Sequence, residues 1–294
     1  MKKTTMLRKL FEAPGFVSLP VVYDAMSARI AETVGFKALF MAVSATSDAQ
    51  LGLPGLGLAT ATEVIYFAKC INNAVNVPLI VNVDDGFGGA LGAFRTTEEL
   101  IRTGAAAIYL SDRKPVIPAR VPHNMLEVLP RDEYLGKMGA VVAARNGMDK
   151  DFLIFARIDA GALNGDEEVV ARAKALVKMG VDVIVPHQRP PQSKYGIRDK
   201  AIMKKLFKQI RAPKVWIWGM GPKGTTIKDY EEVGAKMCMP DASPSGAVQN
   251  TLFNVYQDLY DNGPAARHDA PGREISDQLR GHKFWHELEE KYVP

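Results

Sequence analysis

The stretch that decides the fold reads Leu-Ile-Val-Asn-Val-Asp-Asp-Gly-Phe-Gly-Gly and covers residues 79–89. Four of its first five residues are apolar and three of these are β-branched, which predicts a strand buried on both faces, as in a parallel sheet. The strand is followed by two adjacent carboxylates, Asp84 and Asp85, and a glycine-rich turn. Polar groups at the carboxyl end of a parallel strand often face a ligand, but an aspartate there can equally cap a helix. These residues alone leave both interpretations open.

The rest of the chain repeats this pattern of an apolar run followed by a stretch with helical periodicity. The predicted strands are Val17–Val22, Ala38–Val43, Leu79–Val83, Ala107–Ser111, Leu153–Ile158, Val183–His187, Lys214–Gly219 and Lys236–Asp241. The predicted helices are Ser27–Val34, Ala61–Asn73, Thr96–Thr103, Arg131–Ala144, Asp166–Met179 and Ile227–Val233. Thr60 and Thr96 each precede a glutamate by three residues, which is capping-box spacing. Eight strand-helix units in 294 residues predict an α/β fold, a (β/α)8 TIM-type barrel whose active site lies at the carboxyl ends of its strands.

Two regions lie outside this repeat. The segment Asp112–Pro130 carries four prolines after the fourth strand, and a loop of that length predicts a lid or a binding loop. Beyond Pro244 the pattern is helical, with predicted helices at Ala247–Leu259 and Asp277–Tyr292. We therefore expect a barrel over residues 1–246 and a helical extension over 247–294. Aromatic residues on the last helix need a partner surface, which is either another subunit or the chain's own barrel.

Composition excludes several classes of protein. The net charge is +4, but Lys and Arg are scattered rather than clustered with aromatic residues, so nucleic-acid binding is disfavoured. The two cysteines, Cys70 and Cys238, are far apart, which indicates a reducing compartment and neither a disulfide framework nor a zinc site. No apolar run is long enough to be a signal peptide or a membrane span. The expectation is a cytoplasmic protein without a membrane partner.

At this point a set of short motifs becomes informative. They are Tyr-Asp-Ala-Met-Ser-Ala-Arg at 23–29, Ser44–Ser47, Leu-Gly-Leu-Pro-Gly-Leu-Gly at 51–57, Asp84 with Gly-Phe-Gly at 86–88, Ala-Arg-Ile-Asp-Ala at 156–160, and the closing Glu-Lys-Tyr-Val-Pro. In this order the chain resembles the isocitrate lyase/phosphoenolpyruvate mutase superfamily. The resemblance implies a (β/α)8 barrel with a swapped C-terminal helix, commonly in a tetramer. It also implies that Mg2+ serves as a cofactor and holds a 2-oxo carboxylate substrate. The implied reaction breaks or makes a C–C or C–P bond next to the oxo acid through an enolate.

The resemblance also implies roles for individual residues. Arg157, at the end of the fifth strand, would hold the carboxylate or oxo oxygen of the substrate, although an ion pair with Asp159 is the simpler structural role. The residues implied to bind substrate with it are Tyr23, Ser44, Ala45, Thr46 and Asn82. Asp84 and Asp85 would hold the metal. His123 and His187 are the candidate acid-base residues, because imidazole titrates near neutral pH.

Departures from the family pattern fall on its metal and acid-base positions. Asn82 and Ser111 stand where the family normally has carboxylates, His187 where a glutamate is common, and Gly55 where a loop aspartate is usual. The lyase loop with its cysteine is reduced to Arg120-Val121-Pro122-His123. Since Mg2+ affinity follows the number of hard anionic oxygens, binding is expected to be weak or absent unless Asp84 and Asp85 rebuild the site.

Three hypotheses for function follow. The first is a C–C lyase, aldolase or decarboxylase that acts on a small 2-oxo or dicarboxylic acid through an enolate. We expect the protein to be a homo-oligomer, either a tetramer or a dimer. The second is a phosphonate enzyme of the mutase or phosphonopyruvate hydrolase kind, against which the loss of the aspartate at Gly55 counts. The third is a non-catalytic or metal-independent relative with a specialised role.

Overall fold

The structure, a computed structural model, describes residues 1–114, 127–186, 200–210, 216–219, 226–240, 244–263, 268 and 272–293, with backbone alone for 162–163, 202, 216–219, 240 and 273. Within these residues the strands form parallel pairs in the orders β8-β9-β1 and β2-β3-β4-β5-β6-β7. The strands are β1 Val17–Ser18, β2 Val21–Val22, β3 Leu39–Met41, β4 Leu79–Asn82, β5 Ala107–Ser111, β6 Leu153–Ile158, β7 Val183–Pro186, β8 Trp216–Gly219 and β9 Met237–Pro240. This arrangement is the predicted TIM-type α/β barrel.

The first predicted strand is divided in two by Leu19 and Pro20. The Leu19 N–H donates to the Cys238 carbonyl at 2.9 Å, whereas the Pro20 carbonyl accepts from the Phe40 N–H at 3.0 Å. Proline has no N–H to continue the ladder with β9, so the segment changes neighbours at this point. Residues 17–22 thereby join the two sets of parallel strands.

The described residues contain thirteen helices. They are α1 Lys3–Glu12, α2 Ala25–Val34, α3 Val43–Leu51, α4 Ala61–Ala74, α5 Ala90–Arg102, α6 Arg131–Met148, α7 Gly161–Asn164, α8 Asp166–Met179, α9 Lys200–Ile210, α10 Ile227–Glu232, α11 Pro244–Asn262, α12 Arg273–Arg280 and α13 His282–Tyr292. The capping box at Thr60 is confirmed, since Thr60 and Glu63 exchange hydrogen bonds at 2.8 and 3.3 Å. The predicted start at Thr96 is wrong: α5 begins at Ala90, and the Thr96 hydroxyl donates to the Gly86 carbonyl at 3.3 Å. The helix begins earlier because the glycine-rich turn ends at Gly89.

The core has two layers, one on each face of the strands. The outer layer lies between the sheet and the helices and includes Val81, Leu110 and Ile154. The inner layer fills the barrel and includes Phe40, Tyr109 and Phe155, each fully buried. Successive strand residues alternate between these layers, as the period of two requires.

Helix α1 closes the amino-terminal end of the barrel. Leu7 and Phe11 are buried with the inner layer, and the Phe11 ring meets the Phe155 ring edge-on with centroids 5.6 Å apart. Hydrogen bonds from Thr4 and Arg8 to Asp149 and Asp182 fix the helix to the loops that precede β6 and β7. One end of the barrel is therefore sealed by apolar side chains.

The chain divides into two compact units, residues 1–242 and 243–294. The second unit contains α11 to α13, and the predicted single helix Asp277–Tyr292 is interrupted at Gly281, which has a left-handed φ of 70°. Large apolar side chains on these helices are exposed, namely Phe253, Tyr256, Tyr260, Phe284, Trp285 and Tyr292. Among the described residues no helix combines the length and apolar character needed to cross a bilayer.

Candidate active site

The carboxyl ends of β4, β5 and β6 bring three of the singled-out positions together on the inner face. In the parallel register Asn82 pairs with Tyr109, and Ser111 pairs with Arg157. Asn82, Ser111 and Arg157 are all buried although all are polar. Two residues deeper on β5 and β6, Tyr109 and Phe155 form an apolar floor, and burial raises the pKa of the Tyr109 hydroxyl to about 12. Polar side chains above an apolar floor are typical of a ligand site.

Asp84 begins a turn with unusual backbone geometry. Its φ is 47°, in the left-handed region, and Gly86, Phe87 and Gly88 are also left-handed. The side chain and backbone of Asn82 and Asp84 stabilise the turn, because the Asn82 Oδ1 accepts from the Asp84 N–H at 3.0 Å and its Nδ2 donates to Asp84 Oδ1 at 3.1 Å. At Gly86 a Cβ atom would lie 2.7 Å from Leu110 Cδ1. Strained backbone of this kind is concentrated at functional sites.

Arg157 forms a bidentate ion pair with Asp159. Its Nε and Nη2 donate to the two carboxylate oxygens, both at 2.7 Å, and both side chains are buried. Burial alone would lower the pKa of Arg157, but the charge of Asp159 more than offsets it and the pKa is raised. The structural role considered for Arg157 is therefore present, while its role as a substrate anchor stays a prediction.

Arg113 was not singled out from the sequence, yet it lies at the centre of this group. Its Nη2 is 3.4 Å from Asp84 Oδ1, and its Nε is 3.4 Å from Ser111 Oγ and 3.8 Å from Asp159 Oδ2. The alternation of side chains along a strand could have identified Arg113, because it follows Ser111 by two residues and so lies on the same face. The backbone of Arg113 is still extended enough to form a β-bridge with Val128. We call Asp84, Arg113, Arg157 and Asp159 the inner cluster.

A second set of charges lies on the other side of the same strand ends. Asp112, fully buried, accepts from the Asp159 N–H at 2.7 Å, the Ala160 N–H at 3.3 Å and Arg172 Nη1 at 3.2 Å. Arg172 also donates to Glu168 at 2.7 Å and to the Leu129 carbonyl at 2.8 Å. We call Asp112, Glu168 and Arg172 the outer cluster.

Burial, reinforced by the charge of Asp159, raises the pKa of Asp112 to about 7. Through the N–H groups of Asp159 and Ala160, Asp112 connects the end of β5 to the residues that follow β6. Tyr134 connects the two clusters: its hydroxyl donates to the Arg157 carbonyl at 3.1 Å, and its ring lies 5.8 Å from the Arg172 guanidinium.

Ser44, Ala45 and Thr46 form the first turn of α3, immediately after β3. The N–H groups at the start of a helix can bind a carboxylate, which fits the predicted role, while the Thr46 hydroxyl already donates to the Ala42 carbonyl at 2.9 Å. Gly55 packs directly on this turn, because a Cβ atom there would lie 2.3 Å from Ser44 Cβ. The loop that carries Gly55 therefore has no room for an aspartate side chain in this conformation.

Tyr23 and its neighbour follow β2. Tyr23 is buried in the inner layer, and burial together with the charge of Asp24 raises the pKa of its hydroxyl. Asp24 caps α2 by accepting from the Ser27 N–H at 2.6 Å. Of the acid-base candidates, His123 and His187 lie outside the described residues, as does most of the predicted lid.

The described residues do not fit a Mg2+ ion. In the described part of the chain no group of three or more His, Cys, Asp or Glu side chains is placed to hold a metal. The Asp84 carboxylate accepts from Asn82 and Arg113, and both oxygens of Asp159 are bound by Arg157. Asp85 faces the turn: one of its carboxylate oxygens is 3.4 Å from the Gly88 N–H, and its backbone carbonyl accepts from Lys137 Nζ at 2.9 Å. Burial raises the pKa of Asp85, which weakens it further as a metal ligand.

Comparison with known proteins shows what this chain is similar to. The model of the phosphoenolpyruvate phosphomutase family matches residues 7–252. 2-Methylisocitrate lyase of Aeropyrum pernix is 32% identical over 262 residues, which make up 88% of this chain and 80% of that protein. 2,3-Dimethylmalate lyase of Eubacterium barkeri is 35% identical over 185 residues, 63% of each chain, so the match spans less than two thirds of that relative.

Solved structures agree with this fold. Oxaloacetate acetylhydrolase in complex with the inhibitor 3,3-difluorooxalacetate gives a TM-score of 0.87 at 26% identity, with 99% of this chain and 97% of the other covered. A phosphonopyruvate hydrolase with a TM-score of 0.84 and 21% identity, covered completely in both chains, is complexed with oxalate and Mg2+. The second likeness carries the fold alone.

Proposed function

Because the chain belongs to the phosphoenolpyruvate mutase/isocitrate lyase superfamily, we propose that it cleaves a carbon–carbon bond in a small 2-oxo or dicarboxylic acid through an enolate. The observation that carries this proposal is the inner cluster, which buries the guanidinium groups of Arg113 and Arg157 at the carboxyl ends of neighbouring strands. An enolate beside a carboxylate concentrates negative charge on adjacent oxygens, and preorganised cations in a buried site stabilise such charge. The lyases among the relatives support the same class of reaction.

The proposed reaction has a simple balance of electrons and protons. When the carbon–carbon bond breaks, its electron pair passes into the enolate, which then takes a proton on carbon to give the oxo or carboxylic acid. The other fragment leaves either as carbon dioxide or as a carbonyl compound, and in the second case a hydroxyl proton is removed first. We assign these proton transfers to His123 and His187. Arg157 holds the carboxylate, with Tyr23, Asn82 and the first turn of α3 beside it.

Direct turnover tests this proposal. Oxaloacetate, 2-methylisocitrate and 2,3-dimethylmalate are incubated with the full chain, with and without Mg2+, and the products are followed by proton NMR. We expect cleavage of at least one acid, and loss of that cleavage in Arg157→Met. Arg102→Met is the matched control, because Arg102 lies exposed on α5 and pairs only with Glu98 and Glu99 among the described residues. Absence of cleavage with every acid contradicts the proposal and favours the non-catalytic alternative.

The phosphonate alternative is tested in the same assay with phosphonopyruvate. The close packing of Gly55 on Ser44 counts against it, because the loop aspartate that we expect in a phosphoryl-transfer member has no space there. Release of phosphate or rearrangement of phosphonopyruvate, seen by phosphorus NMR, would replace the lyase proposal.

We also propose that the protein is a homo-oligomer. Six aromatic side chains are exposed on the described residues of α11 and α13, and surfaces of this kind usually meet another protein surface. Light scattering behind size-exclusion chromatography gives the subunit number, and Phe284→Asp with Trp285→Asp should lower it. A monomeric wild-type chain contradicts the proposal. Exchange of helices between subunits remains a prediction.

A further inference from the structure

Arg113 differs from every other buried arginine that the structure describes in how weakly it is held. Only 5% of the residue is exposed, yet its contacts with the side-chain oxygen atoms of the described residues Asp84, Ser111 and Asp159 are 3.4 to 3.8 Å long. Strong N–H···O bonds are near 2.9 Å, and charge-assisted ones are shorter. Its Nη1 atom is buried and has no hydrogen-bond partner among the described residues. A buried cation with a donor to spare is costly unless another acceptor completes it.

The neighbouring arginine shows the opposite condition. Arg157 donates to both oxygens of Asp159 at 2.7 Å, so Asp159 is already neutralised and has little attraction left for Arg113. The remaining carboxylate, Asp84, is shared between Asn82 and Arg113. Two carboxylates and two guanidinium groups make the inner cluster neutral as a whole, but its charges are unevenly paired. The unsatisfied positive end is at Arg113.

This arrangement explains why the site does not fit a divalent cation. Mg2+ needs several anionic oxygens around it, and the oxygens of Asp84 and Asp159 are bound by arginine and amide donors. A further double positive charge beside two buried guanidinium groups would be repelled by both. Arg113 itself supplies the positive charge that would attract an anion to this place.

We propose, building on the function proposed above, that the guanidinium of Arg113 binds the paired oxygens of a 2-oxo acid or its enolate, in place of a divalent metal ion. A planar guanidinium offers two parallel donors, which match the two coplanar oxygens of an oxo-carboxylate. The turn that begins at Asp84 and the ladder contact between Lys114 and Glu127, whose N–H and carbonyl lie 2.9 Å apart, hold both ends of the Arg113 segment in place. Oxalate has the same paired oxygens and serves as the probe.

Isothermal titration of the full, EDTA-treated chain with oxalate tests this inference. We expect binding without metal, with a Kd that changes by less than about twofold when Mg2+ is added. Arg113→Met should weaken binding by about tenfold to a hundredfold, which is the loss of one or two hydrogen bonds to a charged group. Arg113→Lys should fall between the two because it keeps the charge and loses the fork. Arg102→Met, the exposed control, should bind like the wild type.

The outcomes separate this inference from the proposed function. Oxalate binding that requires Mg2+ overturns it, as does unchanged binding by a folded Arg113→Met chain, and the metal dependence of the wild type decides even where that variant does not fold. Metal-dependent cleavage of an acid would leave the lyase function standing and remove the role of Arg113. Metal-free oxalate binding that depends on Arg113, without cleavage of any acid, would support the role of Arg113 and contradict the lyase function.

Discussion

The inner and outer clusters lie back to back at the end of β5, and they differ in how their charges are satisfied. Asp112 and Arg172, in the outer cluster, are completed by backbone N–H groups, a carbonyl and Glu168. Arg113, one residue along the chain from Asp112, points to the opposite face and keeps long contacts and a spare donor. The complete pairing of Asp112 and Arg172 indicates a structural role, whereas the incomplete pairing of Arg113 leaves a position for a ligand.

The largest effect on stability should come from Arg172→Met. The substitution leaves Asp112 buried without its cation, and removing one partner of a buried ion pair typically costs about 3–5 kcal/mol of unfolding free energy. Urea unfolding followed by circular dichroism measures the change. Arg102→Met should change the free energy by less than about 0.5 kcal/mol, as exposed pairs do. Equal losses in the two variants would show that the outer cluster is not structural.

The pH dependence of stability should carry the signature of Asp112. Burial raises its pKa from 3.8 to about 7 in the folded chain, so the folded state binds this proton more tightly than the unfolded state does. The wild type should therefore lose stability relative to Asp112→Asn as the pH rises from about 4 to 7. Unfolding free energies of both chains at four pH values in this window give the difference.

Asp48→Asn is the control for this titration, because Asp48 is exposed on α3. Its difference from the wild type should not vary with pH in the same way. A wild type that instead gains stability relative to Asp112→Asn as the pH rises would mean that Arg172 dominates over burial and lowers the pKa of Asp112.

Tyr134→Phe should have a smaller effect, because it removes the one hydroxyl contact described between the two clusters. The lost hydrogen bond to the Arg157 carbonyl is expected to cost about 1 kcal/mol, while that carbonyl still accepts from the Asp112 N–H at 3.2 Å. Tyr66→Phe, on the exposed face of α4, should cost nothing measurable. If Tyr134→Phe leaves both stability and oxalate affinity unchanged, the clusters act independently.

The smallest stability effect is expected for Arg113→Met, at less than about 1 kcal/mol, since its contacts of 3.4 to 3.8 Å are weak and the replacement is apolar. The same variant should have the largest effect on oxalate binding. A large loss of stability without a loss of oxalate binding would show that Arg113 has a structural role, like Arg172, and does not bind the ligand.

The sequence predicted the strands best where both faces of a strand are buried, because such a strand is a distinct run of apolar residues. The strands Ala107–Ser111 and Leu153–Ile158 have the predicted ends, because each is a mostly apolar run between helices, with Ser111 and Arg157 as the exceptions. Helices α1 and α3 were not predicted. Helix α1 has no side-chain cap, and α3 is built mainly of small polar residues, so both owe their conformation to what they pack against.

For the site, the sequence placed Asn82, Asp84 and Arg157 at neighbouring strand ends, and the fold brings them together. It named Asp159 as a partner for Arg157, which the structure confirms, but it did not show which carboxylate Arg113 would pair with. That choice depends on the left-handed turn at Asp84 and on side-chain distances across three strands, none of which has a local signature. Arg113 therefore received no role of its own within the predicted loop Asp112–Pro130, although its alternation with Ser111 places it on the inner face.

Helix α1, which closes the amino-terminal end of the barrel, has a consequence for folding during synthesis. Helix α1 leaves the ribosome before the strands around it, and part of the place it occupies is built by Phe155, Asp182 and Met237, which are synthesised much later. Leu7 and Phe11 therefore lack some of their native partners until β9 has been made, so closure of the barrel couples the two ends of the first unit in time as well as in space. A chain that lacks residues 1–12 and a chain that stops before β9 would share one defect, an open barrel floor.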